Sequence, residues 1–469
     1  MHPRILKFGG TSVADVAAVA RVTAVVREHG GPRPVVVVSA LAGATDTLLA
    51  AADAAADGDP RGHEPSLDAL LERHASIARQ LARPETRGVL LAELQAARRE
   101  IARVLDGIAR QPDRRPELRD DLASYGERLS SRLLAAVLAG AGVAACYIDS
   151  RHCLTTDATH GRANPILPLT TERTRAVLVP LLDGGSVPVL GGYIAATADG
   201  ITTTLGRGGS DYTAALVGAA LDAQEIQIWT DVSGVLTADP RVVPGARTVP
   251  SLSYAEAAEL AYFGAKVLHP KTIQPAMDRE IPVRICNSHS PGDPGTVVTT
   301  QGDVRAGAVK AIAHKNGITV LQISSSRMLG AYGFLRGLFE VFERHHTVVD
   351  VVTTSEVSVS LTVEDTRSLP AIVAELQPLG HVTVKSGRAI VCVVGEGLRN
   401  TPGIAARVFA TVSDINVSLI SQGASRVNLT FVVDEARVGE AVLRLHQALF
   451  EREGVDLDQA AAAAGELAP

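Results

Sequence analysis

The chain has 469 residues, of which 46% are hydrophobic and 20% charged, and its formal net charge is -6. This length predicts two to four domains, and the negative charge argues against a nucleic-acid-binding surface. The four cysteines form no C-x-x-C pair, so we expect reduced thiols. The N-terminal MHPRILKF has no long apolar run, and no segment reaches membrane-spanning length. We therefore expect a cytoplasmic protein without a nucleic-acid or membrane partner.

The first part of the chain alternates between strand-like and helix-like patterns. RILKF and RPVVVVSA are short apolar runs, and the segment between them has apolar residues at helical spacing and ends in Gly-Gly. Strand, helix and strand in this order predict a right-handed parallel βαβ unit. Several helices are predicted from about residue 47 to 140, with breaks at Gly58-Asp59-Pro60, Arg83-Pro84 and Gln111-Pro112. GVAACYIDS, SVPVLGGYIA and AQEIQIWTDV are predicted strands, and GSDYTAALVGAAL is a predicted helix.

The Gly-, Pro- and Ser-rich segment SHSPGDPGTVVT indicates the end of this α/β domain, which we place at residues 1–298. Beyond it, the order strand, helix, strand, strand occurs twice. ITVLQISS and FLRGLFEVFERHH begin the first copy, and AIVCVVGE and GIAARVFATVSD begin the second. This weak repeat of about seventy residues predicts two small α+β modules, at 310–387 and 388–458. We expect the low-complexity tail at 459–469 to fray.

The segment KFGGTS joins the first strand to the following helix. Gly9 and Gly10 let the backbone turn tightly and approach a ligand closely. Thr11 and Ser12 can cap the helix, whose N-terminus is a ready anion site beside the charge of Lys7. The spacing of a Walker A loop is absent. These six residues alone therefore fit a phosphate site and an ordinary turn beside a snorkelling lysine equally well.

A second glycine-rich loop, LGRGGSD, joins a strand to a clean apolar helix. Its glycines allow an anion-binding nest of backbone amides, and Arg207 can grip a carboxylate through two parallel hydrogen bonds. Ser210 and Asp211, in the first turn of the helix, could be simple caps. However, Gly206-Arg207-Gly208-Gly209 is entropically costly for a plain turn, so we favour a functional loop.

A third segment, IWTDVSGVLTADPRVV, ends a strand at Thr230 and Asp231 and continues into the turn Asp239-Pro240-Arg241. Ligands of open α/β sheets bind outside the carboxyl ends of the strands. We therefore expect Thr230, Asp231 and Arg241 to lie near one crevice.

Three other polar residues would be unremarkable alone. Lys266, in AELAYFGAKVLHPKT, follows a helix and a break at Gly264, and by itself it is typical of a solvated lysine. Thr45 lies in the predicted loop LAGATD. Glu127 lies in the amphipathic run YGERLSSRLL, where a lone glutamate is usually solvated.

Together, KFGGTSVAD, SYGERLSSRLL, TTTLGRGGSDYTAAL, WTDVSGVLTADPR, AELAYFGAKVLHPKT and VVDVVTTSEVSVSL resemble the aspartate kinases of the amino-acid-kinase superfamily over nearly the whole chain. The monofunctional, lysine-sensitive type is the most similar. The resemblance implies a central, mostly parallel sheet flanked by helices, followed by two α+β ACT-type modules. It also implies phosphorylation of the L-aspartate side chain by ATP, with Mg²⁺ as a further cofactor. The product, 4-phospho-L-aspartate, would be the first intermediate toward lysine, threonine and methionine.

The resemblance implies three sets of residues in the kinase domain and no protein ligands for a metal. The catalytic set is Lys7, on the transferring phosphoryl group, Asp211, which orients the lysine, and Lys266. The ATP-binding set is Lys7, Gly9, Gly10, Thr230, Asp231, Arg241, Lys266 and Val267. The aspartate-binding set is Thr45, Glu127, Arg207, Gly208, Gly209 and Ser210. Glu127 would lie near the amino group and Arg207 on a carboxylate.

The resemblance further implies a homodimer or higher homo-oligomer through the ACT modules, and an effector pocket. That pocket would contain Met328, Gly333, Phe334, Leu335, Val349 and Asp350. Asp350 could pair with the ammonium of L-lysine, the effector we favour, although Val348 and Ala331 depart from the pattern of lysine-sensitive relatives. Met328, Phe334 and Leu335 could equally be plain core residues.

Other functions stay open on the sequence. A glutamate or acetylglutamate kinase would usually lack the tandem C-terminal modules and the KFGGTSVAD start. An amino-acid-binding regulator with an inactive kinase domain is opposed by the presence of Lys7, Arg207, Asp211 and Lys266. A specialised copy that is insensitive to lysine is also compatible with the sequence.

Overall fold

The computed structural model describes residues 2–264, 270–302, 309–330 and 332–451. The α-helices are α1 (Val16–His29), α2 (Ala44–Ala56), α3 (Glu64–Leu81), α4 (Pro84–Arg110), α5 (Arg115–Gly140), α6 (Leu167–Asp183), α7 (Gly209–Ala220), α8 (Tyr254–Tyr262), α9 (Pro270–Met277), α10 (Phe334–Arg344), α11 (Leu369–Leu376), α12 (Ile404–Thr411) and α13 (Val438–His446). Among the described residues, none of these helices is long and apolar enough to cross a membrane.

The β-strands alternate with these helices in the first half of the chain and cluster in the second. They are β1 (Arg4–Phe8), β2 (Pro34–Val38), β3 (Ala145–Ile148), β4 (Val187–Gly191), β5 (Ile194–Ala196), β6 (Thr202–Thr204), β7 (Glu225–Thr230), β8 (Ser251–Ser253), β9 (Val283–Asn287), β10 (Thr296–Thr299), β11 (Ala311–Ser324), β12 (Val352–Thr354), β13 (Ser358–Val363), β14 (His381–Val394), β15 (Leu419–Gln422) and β16 (Asn428–Asp434).

The chain forms two compact units. The N-terminal unit comprises Met1–Val235 and Leu268–Gly302, and the C-terminal unit comprises Leu236–Val267 and Asp303–Pro469. The C-terminal unit therefore includes a segment with β8 and α8 that the sequence had grouped with the kinase domain at 1–298. The domain boundaries proposed from the sequence remain predictions.

A mostly parallel sheet organises the N-terminal unit. The strand order is β3-β4-β2-β1-β7-β9-β10, in which only the pairing of β10 with β9 is antiparallel. Helix α5 packs against β2 and β4, and α7 packs against β1 and β7. Every residue of β2 is buried, which explains why PVVVV is continuously apolar rather than alternating. This architecture confirms the predicted α/β fold class.

The helical region after β2 follows the predicted breaks. Helix α2 ends before Gly58-Asp59-Pro60, α4 begins at Pro84, and Pro112 lies between α4 and α5. Proline is tolerated in a first helical turn because its missing N–H has no intrahelical partner there. The sequence reading missed α6, whose interior contains Pro180 and therefore reads as a break.

The C-terminal unit contains an antiparallel sheet with the strand order β12-β13-β11-β14-β16-β15. One hydrophobic core contains Leu321 and Leu338, and another contains Val391 and Phe431. Two cores on one sheet agree with the predicted pair of α+β modules, which we call the first and second modules.

The two modules interleave at the long strand β11. Residues 311–315 pair with residues 390–394, and Ile312 packs in the core of the second module. Residues 319–324 of the same strand pair with β13 in the first module. The first module is therefore inserted between strands of the second. The polar run His314-Lys315-Asn316-Gly317 obscured this, because it reads as a break rather than as the middle of a strand.

Candidate active site

The carboxyl ends of neighbouring parallel strands align at one edge of the sheet in the N-terminal unit. The aligned pairs are Phe8–Val38, Phe8–Trp229, Val38–Gly191 and Thr230–Asn287. Ligands of open α/β sheets bind outside this edge. The loops after β1, β2 and β7 begin at this edge, whereas the loop before α7 follows β6, which pairs with β5 in a separate two-stranded sheet.

Lys7 and Asp211 form an ion pair in the N-terminal unit. The Lys7 Nζ lies 2.6 Å from Asp211 Oδ1, and the two side chains are 11% and 17% exposed. Asp211 lies in the first turn of α7, where the helix dipole favours a negative charge. This arrangement holds a little-exposed ammonium group at the end of β1.

Gly9 and Gly10 allow two close approaches beside this ion pair. A Cβ atom at Gly9 would lie 3.7 Å from Lys7 Nζ, in ordinary contact, so a longer side chain there would extend beside the ammonium group. A Cβ atom at Gly10 would lie 2.9 Å from the carbonyl oxygen of Ala40, in the loop that follows β2. The glycines therefore keep the surroundings of Lys7 open and bring the loops after β1 and β2 together.

The predicted caps of the first helix are wrong. Gly10–Val13 forms a 3-10 turn, and Asp15 caps α1 by accepting a hydrogen bond from the Ala18 N–H at 2.8 Å. Ser12 instead lies 3.2 Å, hydroxyl to hydroxyl, from Ser288. An aspartate competes well with Thr and Ser for the N-cap position, and Asp15 is the polar residue directly before the helix.

Glu127 is a buried carboxyl group on α5. Its Oε1 accepts a hydrogen bond from the Ala40 N–H at 3.2 Å, and its Oε2 is buried without a hydrogen-bond partner among the described residues. Burial raises the pKa of Glu127 to about 8, and the hydrogen bond from Ala40 offsets only part of this increase. A ligand ammonium would satisfy the unpartnered oxygen and favour the ionised form.

A pair of glycines at the end of β4 brings Glu127 and Ser210 to the same strand. A Cβ atom at Gly191 would lie 2.9 Å from the Glu127 Cβ. A Cβ atom at Gly192 would lie 2.5 Å from the Ser210 Cβ. No larger residue fits either position without displacing its neighbour. The sequence analysis missed this role of LGGY because it depends on which helices pass over the strand.

The glycines of the loop before α7 allow a left-handed turn and a close approach to a neighbouring residue. Gly208 is the N-cap of α7 and adopts a left-handed φ of 74°. A Cβ atom at Gly209 would lie 2.8 Å from Tyr193 Cδ2. Arg207 precedes this turn and is exposed. The Gly209 N–H donates to the Gly206 carbonyl at 3.0 Å, so α7 begins in a tight turn next to an accessible guanidinium.

Thr45 lies in the first turn of α2, not in the predicted loop, because Gly43 begins the helix with a left-handed φ of 76°. Its hydroxyl is 3.8 Å from the point that a Cβ atom at Gly126 would occupy. Thr45 is therefore next to the turn of α5 that carries Glu127.

At the end of β7, the Thr230 hydroxyl donates a hydrogen bond to Asp231 Oδ1 at 3.1 Å. The Thr230 carbonyl accepts hydrogen bonds from the Ser288 N–H at 2.8 Å and the Ser288 hydroxyl at 2.9 Å. Ser288 follows β9 and also contacts Ser12, so it links the loops after three strands. The sequence analysis missed it, although the strand-end rule that singled out Thr230 applies equally to β9.

The remaining nucleotide-site residues are not in the described part of the N-terminal unit. Arg241 belongs to the C-terminal unit, where its guanidinium pairs with Asp239 at 2.6 Å. Lys266 and Val267 lie outside the described residues. The described residues contain no group of three or more His, Cys, Asp and Glu side chains that could hold a metal ion.

The predicted effector residues lie around the start of α10 and the loop before β12, in the first module. Met328, Phe334 and Val349 are half-buried against its core, Leu335 is exposed, and Gly333 is the N-cap of α10 with a left-handed φ of 81°. The Asp350 side chain is only 4% exposed.

Comparison with known proteins agrees with this architecture. The model of the amino acid kinase family matches residues 3–287, and an ACT domain model matches residues 391–449. The chain is 39% identical over 468 residues to aspartokinase 1, chloroplastic, of Arabidopsis thaliana, covering 95% of this chain and 80% of that protein. It is 38% identical over 460 residues to lysine-sensitive aspartokinase 3 of Escherichia coli (strain K12), covering 95% of this chain and 99% of that protein.

A solved structure has the same fold. The crystal structure of E. coli aspartokinase III in complex with aspartate and ADP (R-state) matches with a TM-score of 0.81 and 37% sequence identity, covering 96% of this chain and 100% of that one. The family models, the full-length relatives and this structural match agree. The chain therefore belongs to the amino acid kinase family and, within it, to the aspartokinases.

Proposed function

We propose that this protein transfers the γ-phosphoryl group of ATP to the side-chain carboxylate of L-aspartate, forming 4-phospho-L-aspartate. The observation that carries the proposal is the Lys7–Asp211 ion pair at the end of β1, beside the open turn at Gly9. The names of the relatives agree with this reaction, and the matched E. coli structure holds aspartate and ADP.

The chemistry requires charge neutralisation more than proton transfer. A carboxylate with a pKa near 4 is already ionised at pH 7, so the nucleophile needs no general base. Two anions must meet, and catalysis of phosphoryl transfer is mainly positioning and electrostatic stabilisation. Lys7 would stabilise the charge on the transferring group, while Asp211 keeps the ammonium oriented. Mg²⁺ would arrive with the ATP phosphates as part of the substrate.

We propose that aspartate binds between α5 and the N-terminus of α7. Glu127 would receive the α-ammonium, because its Oε2 is buried and has no donor within the part of the chain that the structure describes. Arg207 would hold a carboxylate, together with the backbone of Gly208 and Gly209 and the Ser210 hydroxyl. Thr45 would contact the substrate from α2, next to the Glu127 turn.

The nucleotide would lie along the ends of β1 and β7. Gly9 and Gly10 would give the phosphates space, and Thr230 and Asp231 would contact the nucleotide at the end of β7. Arg241, Lys266 and Val267 complete the proposed set on the resemblance to the family alone.

We also propose that the protein acts in the cytoplasm and is inhibited by L-lysine through the pocket around Asp350. The cysteines are free and mostly buried, as expected in a reducing compartment. One full-length relative is named as lysine-sensitive. Exposed apolar side chains on the first module favour a homo-oligomer formed through the ACT modules, and they include Leu329, Tyr332, Leu335, Phe339 and Val348.

The proposal is tested by coupled ADP release with Mg-ATP and L-aspartate, with and without L-lysine and L-threonine. We expect turnover with L-aspartate, none with L-glutamate, and suppression by L-lysine. Turnover that neither effector changes would keep the kinase and refute lysine inhibition. Turnover on L-glutamate, or lysine binding without ATP consumption, would instead support one of the alternative functions.

A further inference from the structure

A cluster of charged groups surrounds the buried carboxylate of Asp350 in the C-terminal unit. Asp350 Oδ1 accepts hydrogen bonds from the Tyr262 hydroxyl at 2.9 Å and from Lys315 Nζ at 3.2 Å. Lys315 Nζ also pairs with Glu364 Oε2 at 2.7 Å. Four segments meet here: the end of α8, the strand β11, the loop before β12 and the residue directly after β13.

The cluster has an unsatisfied acceptor. Asp350 Oδ2 is buried and has no hydrogen-bond partner among the described residues, while the whole side chain is 4% exposed. A buried carboxylate oxygen without a donor is costly, and the cost falls when a ligand supplies an N–H group. This second oxygen therefore marks where a donor from a ligand would bind.

The charges of the cluster do not cancel. Asp350 and Glu364 supply two carboxylates, and Lys315 supplies one ammonium, so one negative charge is left over. Burial lowers the pKa of Lys315, but the Glu364 hydrogen bond and the Asp350 charge outweigh burial and raise it. Lys315 is thus charged at neutral pH, and the cluster is complementary to one further cation.

We propose that Lys315 is a built-in counter-cation that weakens the binding of a cationic amino-acid effector at Asp350, and that Glu364 restores binding by drawing Lys315 away. The inference rests on the regulatory site proposed above. Two ammonium groups beside one carboxylate repel each other, and this repulsion is reduced when one of them has a second carboxylate. The shorter distance from Lys315 to Glu364 than to Asp350 fits that division.

The two positions should therefore act in opposite directions. Removing the charge of Lys315 leaves Asp350 free for the effector. Removing the charge of Glu364 instead leaves Lys315 paired with Asp350 alone among the described carboxylates. Glu364 is 63% exposed, so solvent screens its charge and its effect should be the smaller one. If Lys315 and Glu364 only supported the fold, substitutions at the two positions would not change lysine affinity in opposite directions.

The test is isothermal titration of L-lysine into the full-length wild-type protein and into Lys315→Met, Glu364→Gln and Asp365→Asn. The control carboxylate, Asp365, follows Glu364 in the chain but pairs with Arg367 on the surface. We expect Lys315→Met to tighten binding by roughly three- to tenfold and Glu364→Gln to weaken it by about two- to threefold. The control should stay within about twofold, the range expected for an exposed pair. Thermal unfolding and turnover without lysine verify that each variant is folded.

The outcomes separate this inference from the proposed function. Equal or weaker lysine binding by a folded Lys315→Met variant would overturn the inference and leave the effector site intact. If the wild type binds no lysine but Lys315→Met does, Lys315 blocks the site and the inference is supported. If neither binds lysine, the inference and lysine regulation both fail, and turnover on aspartate then shows that the kinase assignment still stands.

Discussion

At the scale of single residues, the surroundings of Lys7 explain why a charged side chain can lie in a buried strand. It is the penultimate residue of the buried strand β1, and its ammonium has a carboxylate partner 2.6 Å away, from a distant part of the sequence. The charge of Lys7, the only lysine in RILKF, is therefore compensated by a carboxylate, and no side chain at Gly9 extends beside it.

We expect Lys7→Ala to reduce kcat by at least about 100-fold, since removal of one preorganised donor to developing charge commonly has that effect. The fold should remain, because the ion pair lies at a strand end rather than in the core. The measurement is ADP release with saturating Mg-ATP and L-aspartate, alongside far-UV circular dichroism. The exposed lysine variant Lys385→Ala is the control and should turn over normally. Near-normal kcat in Lys7→Ala would remove Lys7 from the mechanism.

The raised pKa of Glu127 predicts that this group releases a proton when aspartate binds. Its pKa is raised to about 8 in the ligand-free protein, so the group is mostly protonated at pH 7. A bound ammonium favours the carboxylate, so the proton leaves, and aspartate affinity should increase as the pH rises toward 8. Calorimetric titrations of aspartate in phosphate and in Tris at pH 7 would report this release as buffer-dependent heats.

The matched variant for this experiment is Glu127→Gln, which keeps the shape of the side chain and cannot ionise. It should bind aspartate more weakly and with the same heat in both buffers. Buffer-independent heats in the wild type would show that Glu127 does not change ionisation on binding.

At the scale of elements, the helical region of the N-terminal unit contains a buried histidine that predicts acid sensitivity. His74 on α3 is 1% exposed, and its Nδ1 lies 2.9 Å from the Leu70 carbonyl, to which it donates. Burial lowers the pKa of His74 to about 4. Because the unfolded chain binds the proton near pH 6.5, stability present above that pH is lost as the pH falls toward 4.

We expect the wild type to lose about 2 kcal/mol more unfolding free energy than His74→Leu between pH 7 and pH 4.5. Urea unfolding followed by the fluorescence of Trp229, the only tryptophan, reports on the N-terminal unit. Equal losses in the two proteins would mean that folding does not lower the pKa of His74, so that the ring is protonated in the folded protein as readily as in the unfolded chain.

Elements with clear local signals were predicted well, and those that depend on their neighbours were not. The breaks at Gly58-Asp59-Pro60 and Pro84 were recognised because glycine and proline act on the backbone locally. Helix α6 was missed because Pro180 has the same local signature although the helix continues through it. Strand β11 was cut short because its polar middle gains strand structure only by pairing with β14.

At the scale of the whole molecule, the exposed apolar residues of the first module predict self-association. Phe339 is 38% exposed and Leu335 is 40% exposed, both on the amphipathic helix α10. Burying such a face against a second copy would remove apolar surface from water.

We expect Phe339→Asp to shift the protein toward monomer at micromolar concentrations, because a buried charge without a partner is costly. Size-exclusion chromatography with light scattering measures the change. Val89→Asp, at a position 59% exposed on α4, places the same charge on another surface and should leave the oligomer intact. A wild type that stays monomeric at all concentrations would refute the proposed assembly.

The aspartokinase family, the fold class and the glycine-rich loops were all recognisable in the sequence, because motif spacing and hydrophobic periodicity are local properties of the chain. Three features were not recognisable in the sequence: the partner of Lys7, the unpartnered oxygen of Glu127 and the cluster at Asp350. Each depends on residues that are far apart in the sequence. Their electrostatics depend on distance and burial, and both arise only when the sheet edge and the interleaved modules bring those side chains together.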